Sequence, residues 1–113
     1  MQSETAAEDD ATLRDPWYRR LAELGRTHGD YQPLGAAHAA LFLEESSTLL
    51  VTFESARDLR SRGEETPFGV RLAEEAGHSQ LSLLCEGRTW FRDPAVYGYF
   101  DRLVDDGFFD RFD

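Results

Sequence analysis

The chain has 113 residues, which suffices for one small domain with a core of its own. Its formal net charge is -10, because 22 acidic residues outnumber 12 basic ones, all of them arginine. Phosphate backbones and anionic membrane surfaces attract clustered positive charge, so this balance argues against both nucleic acid and membrane as partners.

The start of the chain predicts a tail rather than a signal. Residues 1–11 are polar and acidic, so we predict a disordered tail there and one small α/β domain over residues 12–113. This start lacks the basic residues and the apolar core of a secretory signal. The one cysteine, Cys85, cannot form an internal disulfide, which fits a reducing compartment. We therefore expect a cytoplasmic protein.

The first predicted element is a helix. Asp15 is expected to cap its N-terminus and Pro16 to occupy its first turn. Three apolar side chains follow at helical spacing, Trp17, Leu21 and Leu24. Gly25 and Gly29 are expected to end the helix, and residues 27–35 have the composition of a loop.

Two apolar runs then predict strands, at residues 38–43 and 48–53. The polar residues 44–47 between them suit the turn of a β-hairpin, with the first strand at or near the sheet edge. The second run is continuously apolar, as expected of an interior strand that is covered on both faces.

A second helix is predicted over residues 67–76, with Gly77 as its stop. Its buried side chains are predicted to be one of two neighbouring sets, either Phe68, Leu72 and Ala76 or Val70 and Ala73. Residues 80–85 predict another buried strand. Strand, helix and strand together form a βαβ unit, whose parallel strands require a right-handed connection.

The last predicted helix begins at Asp93 and Pro94. Its apolar stripe consists of Val96, Tyr99, Phe100, Leu103 and Val104. The helix should pack beneath a strand that follows it, yet no further strand is predicted before residue 113. The aromatic end of the chain, FFDRF, would then lack an obvious cover.

These elements predict an α/β fold: a partial three-layer sandwich with a β-hairpin, a right-handed βαβ unit and a C-terminal helix. Three predicted strands are few for a sheet with helices on both faces, so the domain is expected to be incomplete without further strands. The alternative is a complete small α/β domain.

From residue 38 onward the chain resembles the amino-terminal half of bacterial α/β-hydrolase-fold proteins. The matching stretches are the hairpin ending in TLLVTF, the helix PFGVRLAEEAG, the strand QLSLLC and the helix AVYGYFDRLVDD. In that family a further strand leads to the sharp turn that presents the nucleophile. The resemblance therefore implies a hydrolase-like protein of the esterase or acyl-transfer class. It also implies that these residues alone lack catalytic groups and are inert.

Ligands of open α/β sheets bind beyond the carboxyl ends of the parallel strands, where residues 54–57 and 86–93 emerge. The resemblance implies that the backbone of Glu54 or Ser55 supplies one donor of an oxyanion hole. The family's glycine-rich loop is missing from FESARD. The alternative is that Ser55 or Asp58 begins a helical turn.

The second rim segment contains two aromatic and two basic candidates, Arg88, Trp90, Phe91 and Arg92. The rings could line an apolar pocket, and the guanidinium groups could clamp a carboxylate or phosphate. A small-molecule ligand is expected only in a completed domain. Alternatively, one ring packs on the sheet while Arg92 pairs with a nearby acid.

A function of a different class is a free-standing, acidic binding or interaction domain. Its docking surface would be the aromatic end of the chain, Phe108, Phe109 and Phe112. An apolar patch flanked by acids suits a protein partner or a second copy of the chain.

No metal site or cofactor is expected. The histidines His28, His38 and His78 show no short spacing to one another or to Cys85. Because Cys85 ends an apolar strand, we expect a buried small hydrophobe rather than a reactive thiol.

Overall fold

The computed structural model describes residues 15–35, 37–86, 91 and 94–112. Within them, one mixed sheet contains β1 Gly29–Leu34, β2 His38–Leu43, β3 Leu49–Ser55 and β4 Ser79–Cys85. The helices are α1 Pro16–His28, α2 Ala56–Ser61, α3 Phe68–Ala76, α4 Pro94–Asp105 and a 3-10 helix at Phe108–Arg111. The predicted α/β class is confirmed, with a hairpin, a parallel strand–helix–strand unit and a C-terminal helix.

The strands that form the hairpin differ from those predicted. β1 and β2 pair antiparallel over their whole length, residues 29–34 against 38–43. The predicted pairing of 38–43 with 48–53 is wrong, because β4 lies between β2 and β3 in the order β1-β2-β4-β3. All seven residues of β4 are buried, so this strand takes the position with a partner on each side.

The segment predicted as a loop at residues 27–35 is instead the end of α1 followed by β1. Asp30 and Pro33 gave it the composition of a loop, yet both are tolerated because β1 is an edge strand. The turn into β2 begins at Gly35, whose φ of 74° favours glycine.

β3 was predicted to lie inside the sheet and is instead its second edge. Among the strands of the described residues it pairs with β4 alone, in parallel, and Phe53 near its end is 54% exposed. β2, predicted at or near the sheet edge, is next to the edge strand β1 and lies between it and β4. An apolar run indicates that both faces of a strand are covered, but it carries no information about the neighbours to which its backbone bonds.

Helices cover both faces of the sheet and enclose two clusters of buried side chains. On one face, α1, α2 and α3 bury a cluster centred on Leu21, Leu41 and Leu84. On the other, α4 and the 3-10 helix cover a cluster centred on Leu81, Leu83 and Val96. The layers are therefore helix, sheet and helix.

The predicted start of α1 is confirmed, and of the two glycines predicted to end the helix Gly29 does so, as its C-cap. The Asp15 carboxylate accepts a hydrogen bond of 2.9 Å from the Trp17 N–H. The helix continues past Gly25 to His28. Gly25 serves packing, since a Cβ there would lie 2.8 Å from the Cβ of Tyr31 in β1.

α3 ends as predicted at Gly77, whose φ is 72°. Of the two predicted faces, Val70 and Ala73 are buried, whereas Phe68 is 50% and Leu72 is 39% exposed. The side of α3 that approaches the sheet contains Gly69 and Val70, and a Cβ at Gly69 would lie 2.6 Å from the Thr52 hydroxyl of β3.

The aromatic end of the chain has a partial cover. The rings of Phe108 and Phe112 contact Phe42 of β2 at centroid distances of 5.0 and 6.1 Å. Phe109 stacks on Phe100 of α4 at 6.3 Å. The expectation that these rings lack an obvious cover is therefore corrected, because the 3-10 helix folds back onto the sheet.

The start of α4 is described only from Pro94, so the predicted cap Asp93 lies outside the described residues. Val96 and Tyr99 are buried as the predicted stripe requires, whereas Val104 is 65% exposed. None of the helices that the structure describes is long and apolar enough to cross a membrane.

Candidate functional site

The carboxyl ends of β3 and β4 lie side by side. Because these two strands are parallel and Ser55 is opposite Cys85 in register, the residues that follow them emerge at one edge of the sheet. This is the edge where the sequence predicts a ligand site. Its described residues include Glu54, Ser55, Glu86 and Phe91.

Glu54 holds the N-terminus of α3. Its carboxylate accepts hydrogen bonds of 2.6 Å from the Phe68 N–H and 2.9 Å from the Gly69 N–H. The hydroxyl of Thr52 donates to the same carboxylate at 2.7 Å. Pro67 precedes the helix and offers no capping side chain, so Glu54 satisfies two N–H groups that would otherwise lack an acceptor.

Ser55 caps the next helix along the chain. Its Oγ accepts a hydrogen bond of 3.2 Å from the Asp58 N–H at the start of α2. This confirms the alternative that Ser55 begins a helical turn. The side chains of Glu54 and Ser55 therefore both serve helix N-termini, and a role of their backbone in an oxyanion hole stays a prediction.

We expect Glu54→Ala to lower the free energy of unfolding by about 1–2 kcal/mol, because two N–H groups of α3 lose their acceptor. Glu54→Gln keeps an acceptor oxygen and should lose less. Urea denaturation followed by circular dichroism measures both changes. An unchanged free energy in Glu54→Ala would mean that water replaces the carboxylate without cost.

An open groove of about 450 Å³ lies between β3, α2 and α3. Phe53 and Phe68, each about half exposed, line it together with Asp58 and Arg62. With Glu54, which also lines it, the groove combines two aromatic residues with one cation and two carboxylates. Such a lining can hold a small ligand that has both an apolar part and a charged group.

A row of polar side chains lies beside this part of β3. The Ser82 hydroxyl donates to the side-chain oxygen of Gln80, whose amide nitrogen donates to the Leu41 carbonyl at 3.3 Å. The Thr52 hydroxyl lies 3.0 Å from that of Ser82 and donates its one hydrogen to the Glu54 carboxylate. Thr52 therefore helps to hold the capping carboxylate in place.

An ion-pair cluster, defined here as Asp15, Tyr18, Arg60 and Glu86, joins three elements beside the same edge. The Arg60 guanidinium makes a two-pronged contact with the Glu86 carboxylate, with Nη2 to Oε1 at 2.8 Å. The Tyr18 hydroxyl donates to the same carboxylate. Arg60 Nε lies 3.6 Å from the Asp15 carboxylate, and the guanidinium lies over the Tyr18 ring. The cluster therefore ties α1 and α2 to the end of β4.

The electrostatics of this cluster fix its protonation state. The hydrogen bonds from Arg60 lower the pKa of Glu86, although partial burial opposes that change. Burial, followed by the hydrogen bond to Glu86, raises the pKa of the Tyr18 hydroxyl far above its usual value. Glu86 is therefore a carboxylate and Tyr18 a neutral donor at physiological pH. This arrangement suits a structural clamp rather than a group that exchanges protons.

Sequence reasoning missed this cluster. Tyr18 and Glu86 are separated by 68 positions in the chain, and Arg60 and Glu86 by 26. No spacing signal links residues so far apart. The one available hint was that residue 86 directly follows a buried strand.

The lowered pKa of Glu86 predicts a pH dependence of stability. A carboxyl group whose pKa is lower in the folded state stabilises the fold at pH values above its unfolded pKa, which is about 4.3. This contribution is lost as the pH falls through the folded pKa. Below about pH 4.3 the free energy of unfolding should therefore fall more steeply in the wild type than in Glu86→Gln.

Thermal melting between acidic and neutral pH measures this difference. Glu75→Gln, the same change at an exposed position of α3, is the control and should retain the wild-type slope. Equal slopes in Glu86→Gln and the wild type would contradict the prediction.

Of the four rim candidates, Phe91 is described and Arg88, Trp90 and Arg92 lie outside the described residues. Phe91 is half-buried with a φ of 57°, a left-handed conformation that is unusual for a bulky residue. Its ring contacts Phe53 of β3 at 5.1 Å and His38 of β2 at 5.7 Å. The Phe91 ring therefore packs against side chains of the sheet. This agrees with the alternative interpretation, in which one ring of the pair Trp90 and Phe91 packs on the sheet rather than lining a pocket.

The histidines are distributed over separate places. His38 is buried at the start of β2, whereas His28 and His78 line a cavity of about 300 Å³ near the amino end of β4. Glu44, Glu45 and Glu74 also line this cavity. Across the part of the chain that the structure describes, no group of three or more His, Cys, Asp or Glu side chains could hold a metal ion.

Comparison with known proteins gives no family for the chain. No protein-family model matches it, and no curated protein or solved structure matches it either.

Proposed function

We propose that this chain is the amino-terminal, non-catalytic part of a cytoplasmic α/β-hydrolase-like protein of the esterase or acyl-transfer class. Its role is structural: it supplies the first strands of a larger sheet and the groove beside Ser55. The chain alone is inert, because the nucleophile would arrive on a further strand. The resemblance of residues 38–113 to the amino-terminal half of that family supports this assignment.

The observation that carries the proposal is the position of β3 at an edge of the sheet that the described residues form. The other edge strand, β1, contains Asp30 and Pro33, which discourage pairing with a further strand. β3 has the sequence LLVTFES, with no proline, glycine or basic residue. Such an edge is ready to accept another strand, and a strand added parallel to β3 would end beside the groove.

A charge at the β3 edge tests whether this edge is uncovered in the 113-residue chain. We expect Phe53→Lys to reduce self-association and binding of a hydrophobic dye, since a lysine on an edge strand opposes pairing. The ring contacts of Phe53 with Phe91 and Phe100 would be lost, at a cost of about 1 kcal/mol.

Tyr97→Lys is the matched control, because Tyr97 is 53% exposed and lies on α4. Sedimentation velocity and dye fluorescence measure the two variants side by side. If Tyr97→Lys has the same effect as Phe53→Lys, the β3 edge has no special role in association.

The assignment itself is tested on the protein isolated from its source cells. A native mass well above 12.9 kDa, together with hydrolysis of a chromogenic ester that the 113-residue chain fails to hydrolyse, would support it. A native mass near 12.9 kDa would overturn it.

The aromatic end of the chain favours a second candidate, a free-standing interaction domain. Phe108, Phe109 and Phe112 remain half-buried rather than buried, and the Arg111 guanidinium lies over the rings of Phe108 and Phe112. Aromatic and arginine side chains together are typical of protein interfaces. A docking domain of this kind should form a defined dimer or complex, whereas a half-domain should bind dye and aggregate.

A further inference from the structure

Cys85 and His38 face each other across β2 and β4. The two residues are directly opposite in the antiparallel register. The Glu86 N–H donates to the Ala37 carbonyl at 2.9 Å, so residues 37 and 86 form a hydrogen-bonded pair. The adjacent pair, His38 and Cys85, is then a non-hydrogen-bonded one, the position at which facing side chains approach most closely.

The pair lies in the apolar interior, on the α4 side of the sheet. Cys85 is 6% and His38 is 4% exposed. Leu83 is two positions before Cys85 in β4 and Ala40 is two positions after His38 in β2, and both belong to the cluster beneath α4. The His38 ring contacts Phe91 at 5.7 Å. The thiol and the imidazole are therefore buried at facing positions on the same side of the sheet, at the carboxyl end of β4.

This juxtaposition has a chemical consequence. A thiol becomes a nucleophile only as a thiolate, and a neighbouring imidazole is the usual group that accepts its proton. We propose that Cys85 and His38 form a reactive pair at which a small hydroperoxide oxidises the thiol. Such an oxidant is small and uncharged, which suits a sulfur with little exposure. This inference goes beyond the proposed function and does not depend on it.

The reaction balances as follows. His38 takes the thiol proton, and the Cys85 thiolate attacks one oxygen of the peroxide. A sulfur–oxygen bond forms while the oxygen–oxygen bond breaks, and the leaving oxygen departs as water or alcohol with the proton from His38. The sulfur is oxidised to a sulfenic acid and the peroxide is reduced.

Reversal requires a thiol from outside these 113 residues, which contain one cysteine. That thiol would attack the sulfenic sulfur, releasing water and leaving a disulfide with Cys85. The pair therefore constitutes a candidate redox-modification site rather than a complete catalytic cycle.

The first test measures the rate of sulfenic acid formation in the folded protein with dilute hydrogen peroxide, trapped by a 1,3-dione reagent and read by mass spectrometry. We expect His38→Asn to react roughly tenfold or more slowly than the wild type, because the general base is lost. His28→Asn, at an exposed position of α1, is the matched control and should react like the wild type. Equal rates in His38→Asn and the wild type would overturn the proposal.

A second measurement keeps the proposal testable if His38→Asn fails to fold. The ultraviolet absorbance of the wild type minus that of Cys85→Ala, at neutral pH, reports the thiolate directly. A thiolate signal in the folded wild type supports the pair. An absent signal, or trapping that occurs only as denaturant unfolds the protein, overturns it.

Discussion

Arg60→Met should lower the free energy of unfolding by about 1–3 kcal/mol. The change removes both hydrogen bonds to the Glu86 carboxylate and leaves that charge with the Tyr18 hydroxyl as its neighbour. The side chains of Arg60 and Glu86 are 27% and 34% exposed, so water compensates for part of the loss. Urea denaturation measures the change.

Two further variants separate this effect from the loss of any surface arginine. Arg26→Met breaks an ion pair with Glu23 in which both side chains are largely exposed, so it should cost about 0.5 kcal/mol or less. Replacing Arg60 and Glu86 together with Met should restore part of the stability, since the Glu86 carboxylate is no longer left without Arg60, although Asp15 still loses its ion pair with Arg60. If Arg60→Met costs no more than Arg26→Met, the cluster does not clamp the fold.

Gly29→Ala should cost about 3 kcal/mol or more, because the added methyl group has no space. A Cβ at Gly29 would lie 2.0 Å from the Phe42 carbonyl oxygen and 3.0 Å from the Leu43 Cα. Both are backbone atoms of β2, which is paired with strands on both sides and cannot move away. The substitution therefore disrupts the start of the hairpin, and thermal melting should show a large decrease in Tm.

Gly98→Ala is the matched control for this prediction. Within 4 Å of a Cβ at Gly98 lies the end of the Arg102 side chain, at 3.7 Å, so the methyl group fits. Because alanine favours a helix interior over glycine, this variant should be more stable by up to about 1 kcal/mol. A Gly29→Ala protein as stable as the wild type would show that β1 shifts without cost.

Local signals in the sequence predicted the starts and ends of helices well. Asp15 and Pro16 begin α1, and Gly77 ends α3 with a positive φ. These signals succeed because caps depend on side chains one to three positions away. Gly25 was wrongly predicted to end α1. A glycine is required there because β1 packs too close to the helix for a Cβ atom.

Strand pairing was the part of the fold that local patterns did not predict. Residues 38–43 and 48–53 are close in the chain and were expected to pair, yet β4, which begins at residue 79, lies between them. β1 was predicted as a loop because it contains Asp30 and Pro33, which a strand accommodates at a sheet edge.

The candidate site, too, was predictable in part from local patterns. Residues 54–57 and 86 were predicted to emerge at one edge from strand order alone, and they do. The hydrogen-bond partners of these residues could not be predicted from local patterns. Glu54 accepts from an N–H 15 positions away, and Glu86 accepts from a hydroxyl 68 positions away.

By itself, then, the sequence determined the composition, the α/β class, the helix caps Asp15 and Gly77 and the candidates at the strand ends, all of which depend on neighbouring residues. The tertiary structure alone decided which strands pair, that β3 is an edge strand of the sheet formed by the described residues, that Arg60 binds Glu86, and that Cys85 is opposite His38. These pairs join residues that are distant in the chain. They form because β4 is buried between β2 and β3, which no local pattern in the sequence indicates.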